Sequence, residues 1–374
     1  MFSRLQTKVL ANSVVLLIAV SALMAQTDPH QSRSTSFGSS GGNVNNISKA
    51  FCCSGTLGSL VKDSSNALYI LSNNHVLADS DQAAPGDDIS QPGLIDNNCQ
   101  PATIVADFTV APQLGTNVDA ALARLRSGTM NSNGAILDIG VPSSAPSRAA
   151  VNMSVAKSGR TTGLTCGSVQ STNTSVKVQY QQGCNQGKKF TVTYTNQVVV
   201  GGSGFSGGGD SGSLIVSQSG KHPTALLFAG SSSTTIGNPA ADVLSQTSTS
   251  LGNSVSFVGT QSAGDVICPA TGGATPVTHG KPSQTGLDRA AAAKEAHAQE
   301  LMADPAVMAV GVGSSQTNPG EAVVNVYVET GRAHGHIPAD LDGVRTQVIS
   351  TDLIRAYGWN EPVRPGASCQ VPKN

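Results

Sequence analysis

Between about Ile47 and Ser262 the chain is broken into short apolar runs set off by turn signals, and this punctuation limits the fold more than any other feature. Gly55 to Val61 is followed by a polar turn, Lys62 to Asn66, and then by the apolar run Ala67 to Leu71. Similar runs recur at Val151 to Ala156, Ser175 to Tyr180, Phe190 to Thr195 and Ala225 to Ala229. They are rich in β-branched and aromatic residues and show almost no helical periodicity, so an all-β sandwich or barrel is predicted. Only 12% of the residues are charged, too few for repulsion to keep the chain unfolded.

The flanking regions differ in texture. Residues 1–25 carry Arg4 and Lys8 ahead of the apolar run Val14 to Val20 and end in small residues near Ala25, the pattern of a signal peptide. That core is too short to span a membrane, and no apolar run long enough for an anchor follows. Export, to the outside or the periplasm, is therefore expected, with no membrane anchor. Residues 26–46 are mostly Ser, Gly, Asn and Gln with little to bury, and read as a flexible leader. Pro and Gly return over 263–285, a predicted linker. In the last part, 286–374, Leu287 to Ala303 is rich in strong helix formers and is stopped by Asp304-Pro305. Val307 to Val312 and Ala322 to Val328 follow as strands, so a small, separate α+β domain is expected there.

A formal net charge of −1 without a basic stripe argues against nucleic acid as a partner, and 4% aromatics leave few surfaces for stacking bases. Seven cysteines are present: Cys52, Cys53, Cys99, Cys166, Cys184, Cys268 and Cys369. Export favours disulfides, and without a C-x-x-C pair a zinc or redox motif has little support. An odd count leaves one thiol over, and adjacency makes Cys52 or Cys53 the natural odd member. Cys166 and Cys184 flank a strand and turn and are expected to pair.

The string richest in chemistry is Gly207-Gly-Gly-Asp-Ser-Gly-Ser213. Glycines on both sides let the backbone turn sharply and present a serine hydroxyl beside N–H groups able to hold an oxyanion. A G-x-S-x-G elbow would need glycine where Ser213 stands, which disfavours the α/β-hydrolase fold. A serine nucleophile needs a base and a group that orients it. His30 lies in the leader, His222 in a Lys-His-Pro turn, and His279, His297, His334 and His336 beyond the β region. His334-Gly-His336 has no third ligand near it in sequence, so no metal site is expected. His75 remains, at the end of the apolar run Ile70-Leu71. Asp119, embedded in Val118-Asp-Ala-Ala-Leu122, is the best orienting acid, because a carboxylate among apolar residues requires a partner. Alone, a strand-end His is usually a surface group and such an Asp a turn residue. Together they stand in the order His, Asp, Ser within the β region.

These segments resemble the trypsin/chymotrypsin-like serine peptidases, and Ser72 to Ala78, Gly159 to Thr165 and Leu227 to Ser232 are similar to an exported bacterial branch of that family. The resemblance implies two six-stranded antiparallel β-barrels with the site between them, followed here by the α+β C-terminal domain. It implies Ser211 as nucleophile, His75 as general base and then acid, Asp119 as the partner fixing the imidazole tautomer, and the N–H groups of Gly209 and Ser211 as oxyanion hole. There is no Ile-Val-Gly-Gly-like start that could be released to pair with Asp210, so another group must satisfy that carboxylate. Six positions before the nucleophile, on the pocket wall, stands Phe205, with Ala229, Gly230 and Ser231 on the facing wall. No charge lies there, so a preference for uncharged, small to medium apolar residues is expected. The resulting expectation is an exported serine endopeptidase acting on protein or peptide through an acyl-enzyme, without cofactor or metal. The rival is a catalytically silent peptide-binding or structural module on the same scaffold.

Overall fold

The computed structural model describes residues 28–49, 51–269, 280–318 and 320–356. The signal-peptide stretch 1–25, part of the predicted linker and Cys369 lie outside them. A first antiparallel sheet is built from β1 (Ser39–Asn43), β2 (Gly55–Leu57), β3 (Ser59–Asp63), β4 (Leu68–Ser72), β5 (Asp88–Gln91), β6 (Thr103–Val110) and β7 (Ala121–Leu125). The second takes β8 (Ser154–Gly159), β9 (Gly163–Gln181), β10 (Lys189–Gly201), β11 (Leu214–Ser217), β12 (Pro223–Gly230) and β13 (Thr234–Pro239), while β14 (Val255–Phe257) returns to edge the first. The first sheet has the order β14-β3-β4-β7-β6-β5-β1-β2. In the second, β9 pairs with both β8 and β10, so six strands close into a ring.

The fold is mostly β, as the punctuation predicts. A helix that the pattern does not announce, Ala240–Leu251, buries Ala240, Val243 and Thr247. These fall at helical spacing, but the helix is rich in Ser and Thr and so carries no clear apolar stripe.

Three expectations require correction. The stretch 26–46 is not a loose leader throughout: β1 is buried along its whole length between β2 and β5, and His30 is buried with Nε2 3.1 Å from Ser158 Oγ. Small side chains, which suggested nothing to bury, are what this crossing needs. A Cβ on Gly41 would stand 2.4 Å from Leu57 Cγ.

The cysteines pair as Cys52–Cys99, Cys53–Cys184 and Cys166–Cys268. Cys166 and Cys184 cannot join each other, because they lie at opposite ends of the long strand β9, tens of ångströms apart at ~3.3 Å per residue. Both members of the Cys52-Cys53 pair are used, so neither is the odd thiol.

The C-terminal part does contain the expected elements, a helix Gln284–Ala303 and the strands β15 (Val307–Ser314), β16 (Ala322–Glu329), β17 (Asp340–Leu341) and β18 (Val344–Thr351). It does not stand apart. β15 pairs antiparallel with β9 from Ser171 to Val176, and β16, β18 and β17 continue the same sheet. β9 outruns its ring partner β8, whose pairing ends at Ser168. The open flank beyond is an exposed edge that β15 covers.

Candidate active site

His75 sits on a single helical turn, Asn74–Leu77, directly after β4, and Asp119 lies two residues before β7. β4 and β7 are paired neighbours, with Ser72 opposite Ala121, so the two side chains leave adjacent strand ends. Nδ1 of His75 is 2.6 Å from Asp119 Oδ2, and both residues are fully buried. The carboxylate accepts only, so Nδ1 carries the hydrogen and Nε2 is the acceptor face of the neutral ring. Asp119 Oδ1 also accepts from His75 N at 3.3 Å, and its main chain is fixed by Asn73 and Asn238.

Sequence reasoning missed one member of this group. Tyr180 donates its hydroxyl to Asp119 Oδ2 at 2.8 Å and lies 2.7 Å from Tyr194 OH. Burial, then the neighbouring Asp119 charge, push the Tyr180 phenol well above its ordinary pKa, so it stays a neutral donor. Its place in an alternating β-strand marks it only as a core tyrosine, so its sequence carries no distinguishing signal.

Ser211 comes from the second sheet, on the turn entering β11. Gly209 and Gly212 both have φ of +96°, backbone that only glycine adopts without strain. β2 of the first sheet grips this turn: Thr56 N donates to Ser211 O at 2.8 Å and Thr56 Oγ1 to Gly209 O at 2.9 Å. A Cβ on Gly55 would be 2.6 Å from Val76 and 2.8 Å from Ser211 O, so the residue after His75 and the serine share one tight contact. The structure therefore brings His75, Asp119, Gly209 and Ser211 to one junction. Ser211 Oγ donates to Ala356 O at 3.0 Å.

The group that satisfies Asp210 is Lys157. Its Nζ is 3.4 Å from Asp210 Oδ2, with both side chains fully buried, and burial holds the ammonium below its usual pKa while Asp210 acts in the opposite direction. The carboxylate also accepts from Thr161 N at 2.8 Å, Thr162 Oγ1 at 2.7 Å and Gly207 N at 2.9 Å. The loop carrying these threonines is anchored by Arg160, which forks onto Asp96 with two 2.7 Å bonds.

Of the expected pocket residues, Ala229 and Gly230 end β12, with Ser231 beyond them. Phe205 is buried in a different apolar cluster with Val155, Val169 and Val200, its ring filling the space that Gly167 leaves open. The structure does not bring it together with Ala229, which packs with Tyr180 and Phe228.

Two β units, one carrying a buried Asp–His pair and the other a glycine-framed serine, form a mostly β fold with two sheets. The Trypsin family model matches residues 44–249, more than half of the chain, which therefore belongs to the trypsin family of serine peptidases. No curated protein matches it. Among solved structures it is similar to Thermobifida fusca Protease A, at 19% identity and TM-score 0.39, over 57% of this chain and 98% of that one. A glutamic acid specific serine protease is also 19% identical, TM-score 0.38, over 54% of this chain and 92% of that one. Nocardiopsis Protease gives 19% identity and TM-score 0.37 over 55% and 94%. Family membership implies protein or peptide substrates, and the three disulfides fit an extracytoplasmic compartment.

Proposed function

We propose that the chain is an exported serine endopeptidase of the two-barrel kind, and the observation that carries this is the buried 2.6 Å His75–Asp119 contact beside the Ser211 turn. Ser211 Oγ attacks the scissile carbonyl while His75 Nε2 takes its proton; Asp119 steadies the imidazolium, and the N–H groups of Gly209 and Ser211 receive the oxyanion. His75 then protonates the departing amine, and water, activated by the same ring, releases the acyl group. This chemistry uses only side chains and backbone amides.

Specificity follows from charge. Ala229, Gly230 and Ser231 offer no carboxylate, so a buried Lys or Arg side chain of the substrate would lack a counter-ion and lose several kcal/mol. Uncharged, small to medium apolar residues before the scissile bond are preferred; dominant cleavage of a peptide library after Arg or Lys would overturn that preference.

A fluorophosphonate probe reacts with an activated serine and separates this reading from a silent binding module. It is expected to label Ser211 alone, to fail on Ser211→Ala and His75→Ala, and to slow by roughly 10⁴-fold on Asp119→Asn, where the tautomer is lost. A folded chain that takes no label, both as wild type and in the opened-cleft variant described below, overturns the peptidase reading.

A further inference from the structure

The last described residues, 353–356, lie against the serine itself. Along β9 the flank is covered first by β8, then by β15, and at Gln179 by this segment. Gln179 N donates to Ile354 O at 3.0 Å and Ala356 N donates to Gln179 O at 3.1 Å. On the other side Gly230 N donates to Arg355 O at 2.9 Å and Arg355 N returns a bond to Gly230 O at 3.0 Å. Arg355 is thus the centre of a strand lying parallel to β9 and antiparallel to β12. Its neighbours alternate as a strand should: Ile354 and Ala356 are fully buried, while Arg355 points outward and is exposed.

We propose that residues 353–356 are a built-in inhibitor, an extended segment of the chain that fills the peptide slot between Gln179 and Gly230 and caps Ser211 until it is displaced. This rests on the reading of Ser211 as the nucleophile. Main-chain bonds on both edges are how an added strand is held, with little demand on side-chain identity. The hydroxyl of Ser211 has one proton, and that proton is committed to Ala356 O. The segment is also tied down just upstream, by Thr351 Oγ1 2.8 Å from Ser231 Oγ and by Ser232 on Asp352. β15, β16 and β18 deliver it there by continuing the sheet from β9. Because the segment belongs to the same chain, its effective concentration is of ~mM order, and a dilute external peptide competes poorly.

The test uses the full chain with Arg355→Pro, which removes the N–H that bonds Gly230 O and places a ring on that edge. Two quantities are read: the rate of fluorophosphonate labelling at Ser211, by intact mass, and hydrogen exchange at the Gly230 amide. Arg355→Pro is expected to label at least ~10-fold faster than wild type as the tethered competitor is removed, with Gly230 exchange rising in step. Wild type labelling as fast as the variant, or Gly230 exchanging equally fast in both, overturns the inhibitor and leaves the peptidase reading standing. A folded Arg355→Pro chain whose Gly230 amide opens but whose serine stays unlabelled overturns the nucleophile, and the inhibitor falls with it. If Arg355→Pro does not fold, Ile354→Asp, which expels the buried anchor without removing a main-chain donor, carries the same readouts.

Discussion

Asp119 and Asp210 are both fully buried carboxylates at the junction of the two sheets, yet the protein satisfies them in opposite ways. Around Asp119 the donors are a phenol, a histidine ring and that histidine's backbone amide, with no cationic side chain paired to the carboxylate among the described residues. Around Asp210 they are an ammonium, a hydroxyl and backbone amides, so that the carboxylate faces a buried counter-ion. Under the proposed mechanism the difference matches two tasks: a carboxylate that is to stabilise a transient imidazolium must not already be neutralised by a fixed cation, whereas one that shapes the Gly207–Ser213 turn benefits from a buried counter-ion.

The comparison breaks most severely at Lys157. Lys157→Met leaves Asp210 buried with no cation, and removing one member of such a pair costs about 3–5 kcal/mol. Urea unfolding at pH 7 is expected to show a loss of that size, largely restored when Asp210→Asn is added. Labelling at Ser211 should fall in the single variant as the turn loosens. A loss below ~1 kcal/mol, the range of exposed pairs, would mean that the amides and Thr162 alone suffice for Asp210.

On the Asp119 side the corresponding change is Tyr180→Phe. It removes one donor to a buried charged acceptor and also strands the Tyr194 hydroxyl, for an expected cost of about 2–3 kcal/mol. Because His75 Nδ1 still holds Asp119, labelling should drop far less than in Asp119→Asn. Equal losses in the two variants would make Tyr180, and not the histidine contact, the main determinant of the carboxylate's position.

How much of this was legible in the sequence depends on whether a residue's role is local. His75, Asp119 and Ser211 could be singled out as candidates because each sits in a string with its own physical oddity: a polar group after an apolar strand, a carboxylate among alanines, a serine framed by glycines. The need for a partner to Asp210 was also readable, but Lys157 itself was not, since its contact is made by folding β8 against the Gly207–Ser213 turn. Tyr180 looks like any strand tyrosine. β1 was hidden because its Gly and Ser residues are informative only beside Leu57, a neighbour the linear order does not reveal. The disulfides failed for a similar reason: nearness in sequence suggested Cys166 with Cys184, while the length of β9 drives them apart. Nothing in Leu353-Ile-Arg-Ala356 signals a position beside Ser211; sheet continuity from β9 through β15 to β18 puts it there.

A third carboxylate sharpens the comparison because it has neither solution. Asp79 follows the His75 turn with φ of +45° and no cation paired with it among the described residues. Desolvation, helped by the nearby Asp87 charge, raises its pKa from 3.8 to about 6. The folded value lies above the unfolded one, so between those pH values the native state holds more protons and stability falls as pH rises. Below pH ~4 both states are protonated and the penalty vanishes; above pH ~6 it is fully present. Unscreened, such a shift is worth roughly 3 kcal/mol, and partial exposure reduces the expected effect to about 1–2 kcal/mol. Asp79→Asn should therefore stabilise the protein by that amount at pH 7.5 and by close to nothing at pH 4, measured by urea unfolding at both. An equal gain at the two pH values would assign the effect to the left-handed backbone, which Asn tolerates well, and would leave Asp79 with no electrostatic cost to set beside Asp119 and Asp210.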